Sequence, residues 1–325
     1  MTETYIVTPN YNGTKFLEGY FHSLLSQTYQ DFKIIFVDNS PHDDSTRFIG
    51  ETYPREVETE KIIIIKNPEN YGFARGNNIG IQKALEDPSC RYVICLNNDT
   101  VSQRDFLMEL TNCAKRHQDA GSIQSKMIWG SNLELLDSAG INYSRNGLSF
   151  NRGEYEAENH YNQEEEIFGC CAGASLYRRE ALEDIEDNGD YFDSDFFAYY
   201  EDFDLALRLR WAGWTAWYCP DAVVNHHKGG TENARSDFTV YHNWRNYTWT
   251  LFKEMPTGYL IKNLHRILIA ELSQIGINLV RGKPVIFRAK WDAYRNIGRF
   301  LEKKKRVKRT VPLSEVEKWF VNRWK

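Results

Sequence analysis

Short apolar runs alternate with amphipathic stretches over residues 1–100, which is the pattern of β-α units around a mainly parallel sheet. We predict strands at residues 5–7, 32–37, 62–65 and 92–96, and helices at about 16–25 and 74–85. The third strand is β-branched throughout, which predicts burial on both of its faces. This part of the chain therefore predicts an α/β fold with a Rossmann-like sheet flanked by helices.

The rest of the chain changes its pattern twice. Residues 151–166 are polar and acidic and predict a loop, whereas a helix that ends at Gly213 and two short strands at 215–218 and 222–225 follow later. After about residue 241 the strand pattern disappears, and helices are predicted at 261–279, 285–301 and 314–324. We expect an α/β domain at 1–240, with halves of about 1–100 and 101–240, and a helical appendage at 241–325.

Charge divides the chain at the same place. Residues 241–325 contain 19 Lys and Arg against 6 Asp and Glu, whereas residues 1–240 contain 21 against 39. A basic tail on an acidic body favours an anionic partner, and no recognisable nucleic-acid module accompanies the basic cluster at 303–309. We therefore predict attachment of that cluster to an anionic membrane surface rather than to nucleic acid. The apolar stripe at 261–279 is expected to pack against the α/β domain or in a homo-oligomer.

The six cysteines show no paired metal-site spacing and are expected to be reduced core thiols. The chain begins directly on a strand and has no uninterrupted apolar run of about 18 residues. These patterns predict a cytoplasmic protein, peripheral on the inner face of the membrane.

Polar residues collect just after the first, second and fourth predicted strands, at the edge where open α/β sheets bind ligands. Asp38 and Asp99 could each bind a ligand there or simply form a turn. Asp99 offers a hard oxygen ligand for a divalent cation. His226 and His227, after a later strand, are either metal ligands or a polar pair. The candidate ligand-binding side chains are therefore expected at one edge of the sheet.

Three carboxylates fall within four residues at Glu201, Asp202 and Asp204. Helix capping needs only one of them, so this cluster favours a functional role, such as a general base. No G-x-G-x-x-G follows the first strand, and the segment at 276–283 has one residue too many for a P-loop.

Several blocks together resemble glycosyltransferase family two. They are VTPNYNG at 7–13, VDNS at 37–40, NYGFARGNNIG at 70–80, LNNDT at 96–100, FAYYEDFDLALR at 197–208, AGW at 212–214 and the segment 220–230. The rhamnosyltransferase-like branch is the most similar. The resemblance implies a GT-A fold, a nucleoside diphosphate sugar donor, a divalent cation (Mg²⁺ or Mn²⁺) and inversion at the anomeric carbon.

The resemblance also implies site residues. The base pocket would be lined by Thr8, Pro9, Asn10 and Tyr11, with Asp38 at the base or ribose. Gly72, Arg75 and Asn78 would lie near the ribose and pyrophosphate, and Asn97 and Asn98 would contact the nucleotide sugar. Asp99 and His226 would hold the metal, Asp202 would be the catalytic base, and Glu201 and Asp204 would face the acceptor. The usual Asp-x-Asp begins here with Asn97, which leaves Asp99 as its charged ligand.

These expectations describe transfer of a sugar, with dTDP-rhamnose as the expected donor, to a hydroxyl of a glycan or lipid-linked acceptor. Two alternatives remain at this point. One is a non-catalytic sugar-binding or scaffold protein on the same fold. The other is a nucleotidyltransferase, for which a Gly-rich, Arg-containing loop after the first strand is expected instead of Pro-Asn-Tyr-Asn.

Overall fold

The computed structural model describes residues 2–227 and 236–322. Its strands are β1 (Thr4–Asn10), β2 (Phe32–Asp38), β3 (Ile62–Lys66), β4 (Tyr92–Leu96), β5 (Thr100–Ser102), β6 (Ala120–Trp129), β7 (Leu136–Ser138), β8 (Ile141–Tyr143), β9 (Ser149–Asn151), β10 (Glu165–Glu166), β11 (Ala174–Arg178) and β12 (Thr215–His226). Residues 228–230, the end of the last block that resembles the family, lie outside the described residues.

Helices separate and follow these strands. They are α1 (Leu17–Leu25), α2 (Ser45–Thr52), α3 (Pro54–Glu58), α4 (Gly72–Leu85), α5 (Phe106–Arg116), α6 (Arg179–Ile185), α7 (Glu201–Ala212), α8 (Asp237–Glu254), α9 (Thr257–Lys262), α10 (Leu264–Val280), α11 (Val285–Arg295), α12 (Ile297–Arg306) and α13 (Leu313–Glu317). None of the described helices combines the length and the apolarity that a membrane span requires.

Ten strands form one mixed sheet with the order β10-β12-β6-β11-β4-β1-β2-β3, to which β5 adds beside β12 and β7 beside β6. The pairs β1–β2, β1–β4, β2–β3 and β6–β12 are parallel, whereas β11 runs antiparallel to both β4 and β6. The carboxyl ends of β1, β2, β4 and β12 therefore reach the same edge of the sheet, together with the residues that precede β11.

Alternating residues of the central strands fill two cores, one on each face of the sheet. Ile6 and Phe36 belong to the first core, and Val7 and Val37 to the second. Helix α4 covers the second face closely, because a side chain at Gly80 would approach the Val7 Cγ1 atom to 2.3 Å. This contact brings the start of α4 to the carboxyl edge of β1 and β2.

Two details of the predicted strands are wrong. β3 is the edge strand of the sheet, so Ile63, Ile64 and Ile65 are only partly buried instead of covered on both faces. The two short strands predicted at 215–218 and 222–225 form one strand, β12, whose pairing with β6 shifts between Cys219 and Val223. Pro220 lies in that irregular stretch, where its missing N–H costs no ladder hydrogen bond.

The helical appendage shares a core with the second half of the α/β domain. Trp211 of α7 belongs to the same buried cluster as Tyr247 of α8, Phe300 of α12 and Phe320. The boundary predicted at residue 240 falls inside α8. Residues 241–325 are therefore packed against the acceptor half instead of forming a separate unit at that point.

The basic cluster at 303–309 is engaged within the chain. Its cations contact Asp193 and Asp195 (Lys303), the Met255 carbonyl (Lys304), Glu302 (Lys305), Asp187 (Arg306), Asp184 (Lys308) and the carbonyls of Lys253 and Glu254 (Arg309). Its charge thus ties the appendage to the acidic body. Lys305, Arg306 and Lys308 keep 44–70% of their side chains exposed, so membrane attachment through 303–309 stays a prediction.

Candidate functional site

Three polar side chains form a connected group at the carboxyl ends of β1, β2 and β4. Asn10 and Asp38 are paired in the parallel register, and the Asn10 Nδ2 atom donates to Asp38 Oδ1 at 3.0 Å. Asn98 Nδ2 in turn donates to Asn10 Oδ1 at 2.5 Å. Asp38 is fully buried, its Oδ2 atom has no hydrogen-bond partner, and burial raises its pKa. An unpaired carboxylate oxygen at this edge is suited to accept a hydrogen bond from a ligand.

The other residues predicted for the base pocket differ in their surroundings. Tyr11 is 41% exposed and Pro9 is partly buried, so both are accessible to a ligand at this edge. Thr8, however, is buried and its hydroxyl is hydrogen-bonded to the Tyr20 hydroxyl. Thr8 therefore packs inward and does not line a pocket.

Helix α4 begins at this edge and carries Arg75. Gly72 has a φ of +80°, and a side chain there would meet the Phe197 carbonyl oxygen at 2.5 Å. The same carbonyl accepts a hydrogen bond from the Ala74 amide at 3.1 Å. Arg75 is exposed and its guanidinium lies 4.0 Å from the centre of the Tyr71 ring. A free guanidinium near a helix start is suited to a pyrophosphate.

Asn78 was predicted to lie near the ribose and pyrophosphate, but its side chain bonds to another segment of the protein. Its Nδ2 atom donates to Asp190, Ser194 and the Phe192 carbonyl, and its Oδ1 atom accepts from the amides of Tyr191 and Phe192. These bonds use the full hydrogen-bonding capacity of the amide. Asn78 therefore fastens α4 to the segment 190–194, which the sequence alone does not reveal.

Asp99 and His226 meet where β4 and β12 end. The His226 Nε2 atom lies 3.1 Å from Asp99 Oδ1, and both side chains are nearly buried. On its other side His226 donates from Nδ1 to Asp137 Oδ2 at 2.7 Å. Burial by itself lowers the pKa of His226, but hydrogen bonds and charge from Asp137 and Asp99 outweigh it and raise that pKa to about 9. His227, the next residue, is exposed; its amide donates to the Asp99 carbonyl at 2.8 Å and its ring stacks on Phe16.

The donor set fits a divalent cation. Asp99 offers a carboxylate oxygen and His226 an imidazole nitrogen 3.1 Å apart, and together they would hold Mg²⁺ or Mn²⁺. Without a metal the raised pKa keeps His226 protonated on both ring nitrogens, with Nε2–H beside Asp99. A metal would replace the Nε2 proton, while Asp137 would retain the Nδ1 proton and so orient Nε2 toward the ion. Asn97 Nδ2 lies 3.3 Å from the same Nε2 atom, so Asn97 stands beside the pair without adding charge.

A second set of potential ligands lies elsewhere. Atoms of Cys113, His117 and Glu164 lie within 4.8 Å of one another at the end of α5. His117 stacks on Trp217 near the start of β12, whereas His226 ends that strand. Arg116 already pairs with Glu164. This cluster is therefore separate from the carboxyl edge and its charge is neutralised within the chain. All six cysteines are free thiols, and five are buried.

Asp202 lies at the start of α7, beside the segment that precedes β11. Burial raises its pKa to about 6, an effect partly offset by hydrogen bonds from the amides of Phe203 and Ala172 and from Cys171. The carbonyl of Gly173 accepts from the Asn97 amide at 2.9 Å. Residues 171–173 therefore connect Asp202 to the strand end that carries Asp99.

The neighbouring carboxylates have other environments. Asp204 is fully buried and paired with Arg208 at 2.9 Å and Lys253 at 2.8 Å, so it cannot face an acceptor as predicted. It joins α7 to α8 instead. Glu201 is 6% exposed, and burial with the nearby charge of Asp202 raises its pKa well above the ordinary value. Asp202 is thus the carboxylate of the three that is partly accessible.

The turn before α7 has a strained backbone, and hydrogen bonds from a residue of α8 stabilise it. Phe197, Tyr199 and Tyr200 all have positive φ angles, between 66° and 71°, a region that large side chains rarely adopt. The Asn246 Nδ2 atom donates to the carbonyls of Phe196, Ala198 and Tyr199 at 2.7–2.9 Å. Asn246 is therefore a positioning residue for Asp202. Nothing in the sequence around it indicates this role.

A cavity of about 460 Å³ opens between α7, α8 and α10. Tyr200 and Phe203, which flank Asp202, form part of its wall. Trp244 supplies a further aromatic face and Arg281 supplies positive charge, whereas the charge of Lys283 is paired with Asp237 at 2.8 Å. The aromatic side chains of the cavity can stack against a sugar ring, and its arginine can attract an anionic group.

The role of Asp137 can be measured directly. We expect Asp137→Asn to weaken metal binding by roughly 10–100-fold, because the amide no longer fixes the charge and tautomer of His226. Titration of Mn²⁺ by its electron paramagnetic resonance signal measures this. Asp105→Asn, on an acidic residue away from the carboxyl edge, is the control. Unchanged Mn²⁺ affinity of folded Asp137→Asn would show that the contact is merely structural.

Comparisons with known proteins give one family. Residues 5–186 match the model of "Glycosyl transferase family 2". The chain is 24% identical over 239 residues to the O-antigen chain rhamnosyltransferase WbaN of Salmonella anatum, covering 73% of this chain and 69% of WbaN. It is 27% identical over 242 residues to an N-acetylglucosaminyl-diphospho-decaprenol L-rhamnosyltransferase of Mycobacterium tuberculosis, covering 69% and 75%. It is also 35% identical over 102 residues to the putative teichuronic acid biosynthesis glycosyltransferase TuaG of Bacillus subtilis, covering 31% and 38%.

Solved structures agree on the fold. GalNAc-T7 with UDP, GalNAc and Mn²⁺ gives a TM-score of 0.61 at 14% identity, covering 78% of this chain and 48% of that one. Residues 1–349 of S. aureus TarS in complex with UDP give 0.56 at 13% identity, covering 94% and 92%. The predicted GT-A fold is thereby confirmed. The chain spans 38% of the length of TuaG and 48% of that of GalNAc-T7.

Proposed function

The chain belongs to glycosyl transferase family 2, and from this premise we propose that it is a metal-dependent, inverting enzyme that moves a sugar from a nucleoside diphosphate to an acceptor hydroxyl. The observation that carries the proposal is the pairing of Asp99 with His226, 3.1 Å apart. Residues 171–173 link that pair to Asp202, so a cation site and a candidate base share one edge.

The donor would bind across the carboxyl ends of β1, β2 and β4. Asp38, with its unpaired Oδ2 atom, accepts a hydrogen bond from the base or ribose. Tyr11 offers an exposed ring to the base, and Arg75 contacts the pyrophosphate. A divalent cation held by Asp99 and His226 supplies positive charge that stabilises the departing diphosphate.

Asp202 would act on the acceptor. Its carboxylate accepts the proton of the acceptor hydroxyl while the hydroxyl oxygen bonds to the anomeric carbon and the bond from that carbon to the diphosphate breaks. One displacement of this kind inverts the anomeric configuration. A pKa of about 6 keeps Asp202 ionised at neutral pH and makes it a stronger base than an ordinary aspartate.

The aromatic cavity between α7, α8 and α10 is the proposed acceptor site. Phe203 and Trp244 stack on the acceptor sugar, while Arg281 pairs with an anionic carrier group. The proposed acceptor is therefore a glycan or a lipid-linked saccharide, which offers a sugar ring for stacking and, on its carrier, an anionic group. The relative from M. tuberculosis is named for a diphospho-decaprenol acceptor, which supports the second of these.

For the donor we propose dTDP-rhamnose, on the similarity to two proteins named as rhamnosyltransferases. With Mn²⁺ present, dTDP-rhamnose should raise the melting temperature of the purified chain more than UDP or GDP sugars do. The measurement is a thermal-shift panel repeated with a chelator, which should remove the shift. A larger shift with a UDP or GDP sugar would contradict the donor proposal, and no shift with any nucleotide sugar would contradict donor binding itself.

A further inference from the structure

Exposed apolar side chains are concentrated on two adjoining helices. Of the fifteen large apolar residues that are exposed among the described residues, eleven lie between 261 and 294. Six of them, each 43–91% exposed, follow the outer side of α9 and α10: Ile261, Leu264, Leu268, Leu272, Leu279 and Val280. The sequence predicted that this stripe packs inward or against another subunit. Within this chain the stripe does not pack inward, because α10 turns Ile267 and Ala270 to the core. Packing against another subunit stays a prediction.

Helix α11 extends this apolar area with aromatic residues. Phe287, Trp291 and Tyr294 are 50–68% exposed. Lys290 of α11 pairs with Glu271 of α10 at 2.7 Å, which fixes the two helices side by side. We call the outward faces of α10 and α11 the α10–α11 surface. Soluble domains rarely leave so many large apolar side chains together in water.

The charge around the α10–α11 surface is positive. Residues 256–300 contain eight Lys and Arg against two Asp and Glu. Both acids are turned to the protein, since Glu271 pairs with Lys290 and Asp292 accepts the Tyr241 hydroxyl at 2.7 Å. Arg266, Arg281 and Arg295 make no ion pair with the described residues. The whole chain has a net charge of −5, so the remainder is strongly negative.

We propose that the α10–α11 surface docks on an anionic lipid bilayer. Its apolar side chains enter the boundary between headgroups and acyl chains, where Trp and Tyr are favoured. The surrounding cations contact anionic headgroups, while the acidic body is repelled and faces away. A second copy of the chain is the weaker occupant, because a symmetric interface would place the same cations opposite one another.

The acceptor cavity adjoins this surface. Gln274 and Asn278 of α10 form one wall of the cavity that Tyr200 and Phe203 close on the opposite side. Docking would therefore place the cavity at the level of the headgroups, within reach of a saccharide carried on a lipid diphosphate. This consequence depends on the proposed acceptor site, whereas docking itself does not.

The test is flotation of the full chain with phosphatidylcholine vesicles that contain or lack phosphatidylglycerol. We expect binding to the anionic vesicles alone, weakened by salt. Leu268→Ser combined with Leu272→Ser, or Arg266→Gln with Arg295→Gln, should lower the bound fraction by roughly tenfold. Leu133→Ser, an equally exposed leucine elsewhere, and Lys305→Gln with Lys308→Gln should bind like the parent.

Melting temperature and sedimentation velocity accompany each variant. Unchanged melting temperatures would show that lost binding is not lost folding. Absence of vesicle binding by the parent, or binding retained by the leucine variant, would overturn the proposal. A dimer that the leucine variant converts to a monomer, without vesicle binding, would identify a second copy as the occupant. None of these measurements uses sugar transfer, so they succeed or fail independently of the proposed chemistry.

Discussion

Asp202→Asn should lower the turnover number by roughly two to four orders of magnitude, the usual contribution of a positioned general base. The amide keeps the shape of the side chain but cannot accept the proton of the acceptor hydroxyl. Donor affinity should change little, because Asp202 is not among the residues proposed to contact the nucleotide or the metal. Steady-state kinetics with saturating donor, together with calorimetric titration of the nucleotide, separates these two effects.

The pH profile gives a second measure of the same group. Asp202 must be ionised to act, so kcat/KM of the parent should fall as the pH drops through about 6. Asp204→Asn is the matched control for folding. It removes the buried carboxylate partner of Arg208 and one of the buried partners of Lys253, which keeps Asp193. It should therefore lower the melting temperature, whereas Asp202→Asn should not. Near-normal turnover of a folded Asp202→Asn protein would rule out the assignment.

Asp99→Ala should abolish the metal-dependent part of nucleotide binding. Asp99 is the charged member of the proposed ligand pair, and its loss leaves the diphosphate without a cation to neutralise it. His226→Ala should act in the same direction but more mildly, because a neutral ligand contributes less to charge compensation. Nucleotide affinity measured with Mn²⁺ and with a chelator isolates the metal-dependent part.

His227→Ala provides the neighbouring control. His227 is exposed and stacks on Phe16 with ring centres 6.2 Å apart, so its removal should leave metal-dependent binding intact. If metal-dependent binding required His227 and not His226, the assignment of His226 as the metal ligand at the end of β12 would be wrong. If Asp99→Ala retained a full response to metal, the cation would be held elsewhere.

The sheet and the strand-end residues could be predicted because both follow from periodicity. Alternation of apolar residues locates β1, β2 and β4, and parallel strands bring their carboxyl ends to one edge. Asp38 and Asp99 were therefore expected at the same edge of the sheet. The resemblance of the sequence blocks to a family then assigned roles to His226 and Asp202. Local periodicity does not predict that these two residues lie near Asp99.

The rest depended on contacts between residues far apart in the chain. Asp137 supports His226 from 89 positions away, and Asn246 supports the turn before α7 from 47 to 50 positions away. Asn78 matched a family block, yet its amide is used by the segment 190–194. Helical spacing revealed the stripe on α10 but not its direction, since an outward apolar face has the same period as an inward one.

The contacts between α4 and the segment 190–197 bear on how such enzymes can be recombined. Gly72 fits directly beneath the Phe197 carbonyl, Ala74 donates to that carbonyl, and Asn78 is bonded to residues 190–194. A chimera that exchanges residues 1–100 alone, to import a new donor preference, would separate these partners. The segment 190–197 must travel with α4, even though it lies about a hundred residues away in the second half. Donor and acceptor halves of this protein are therefore not independent modules for engineering.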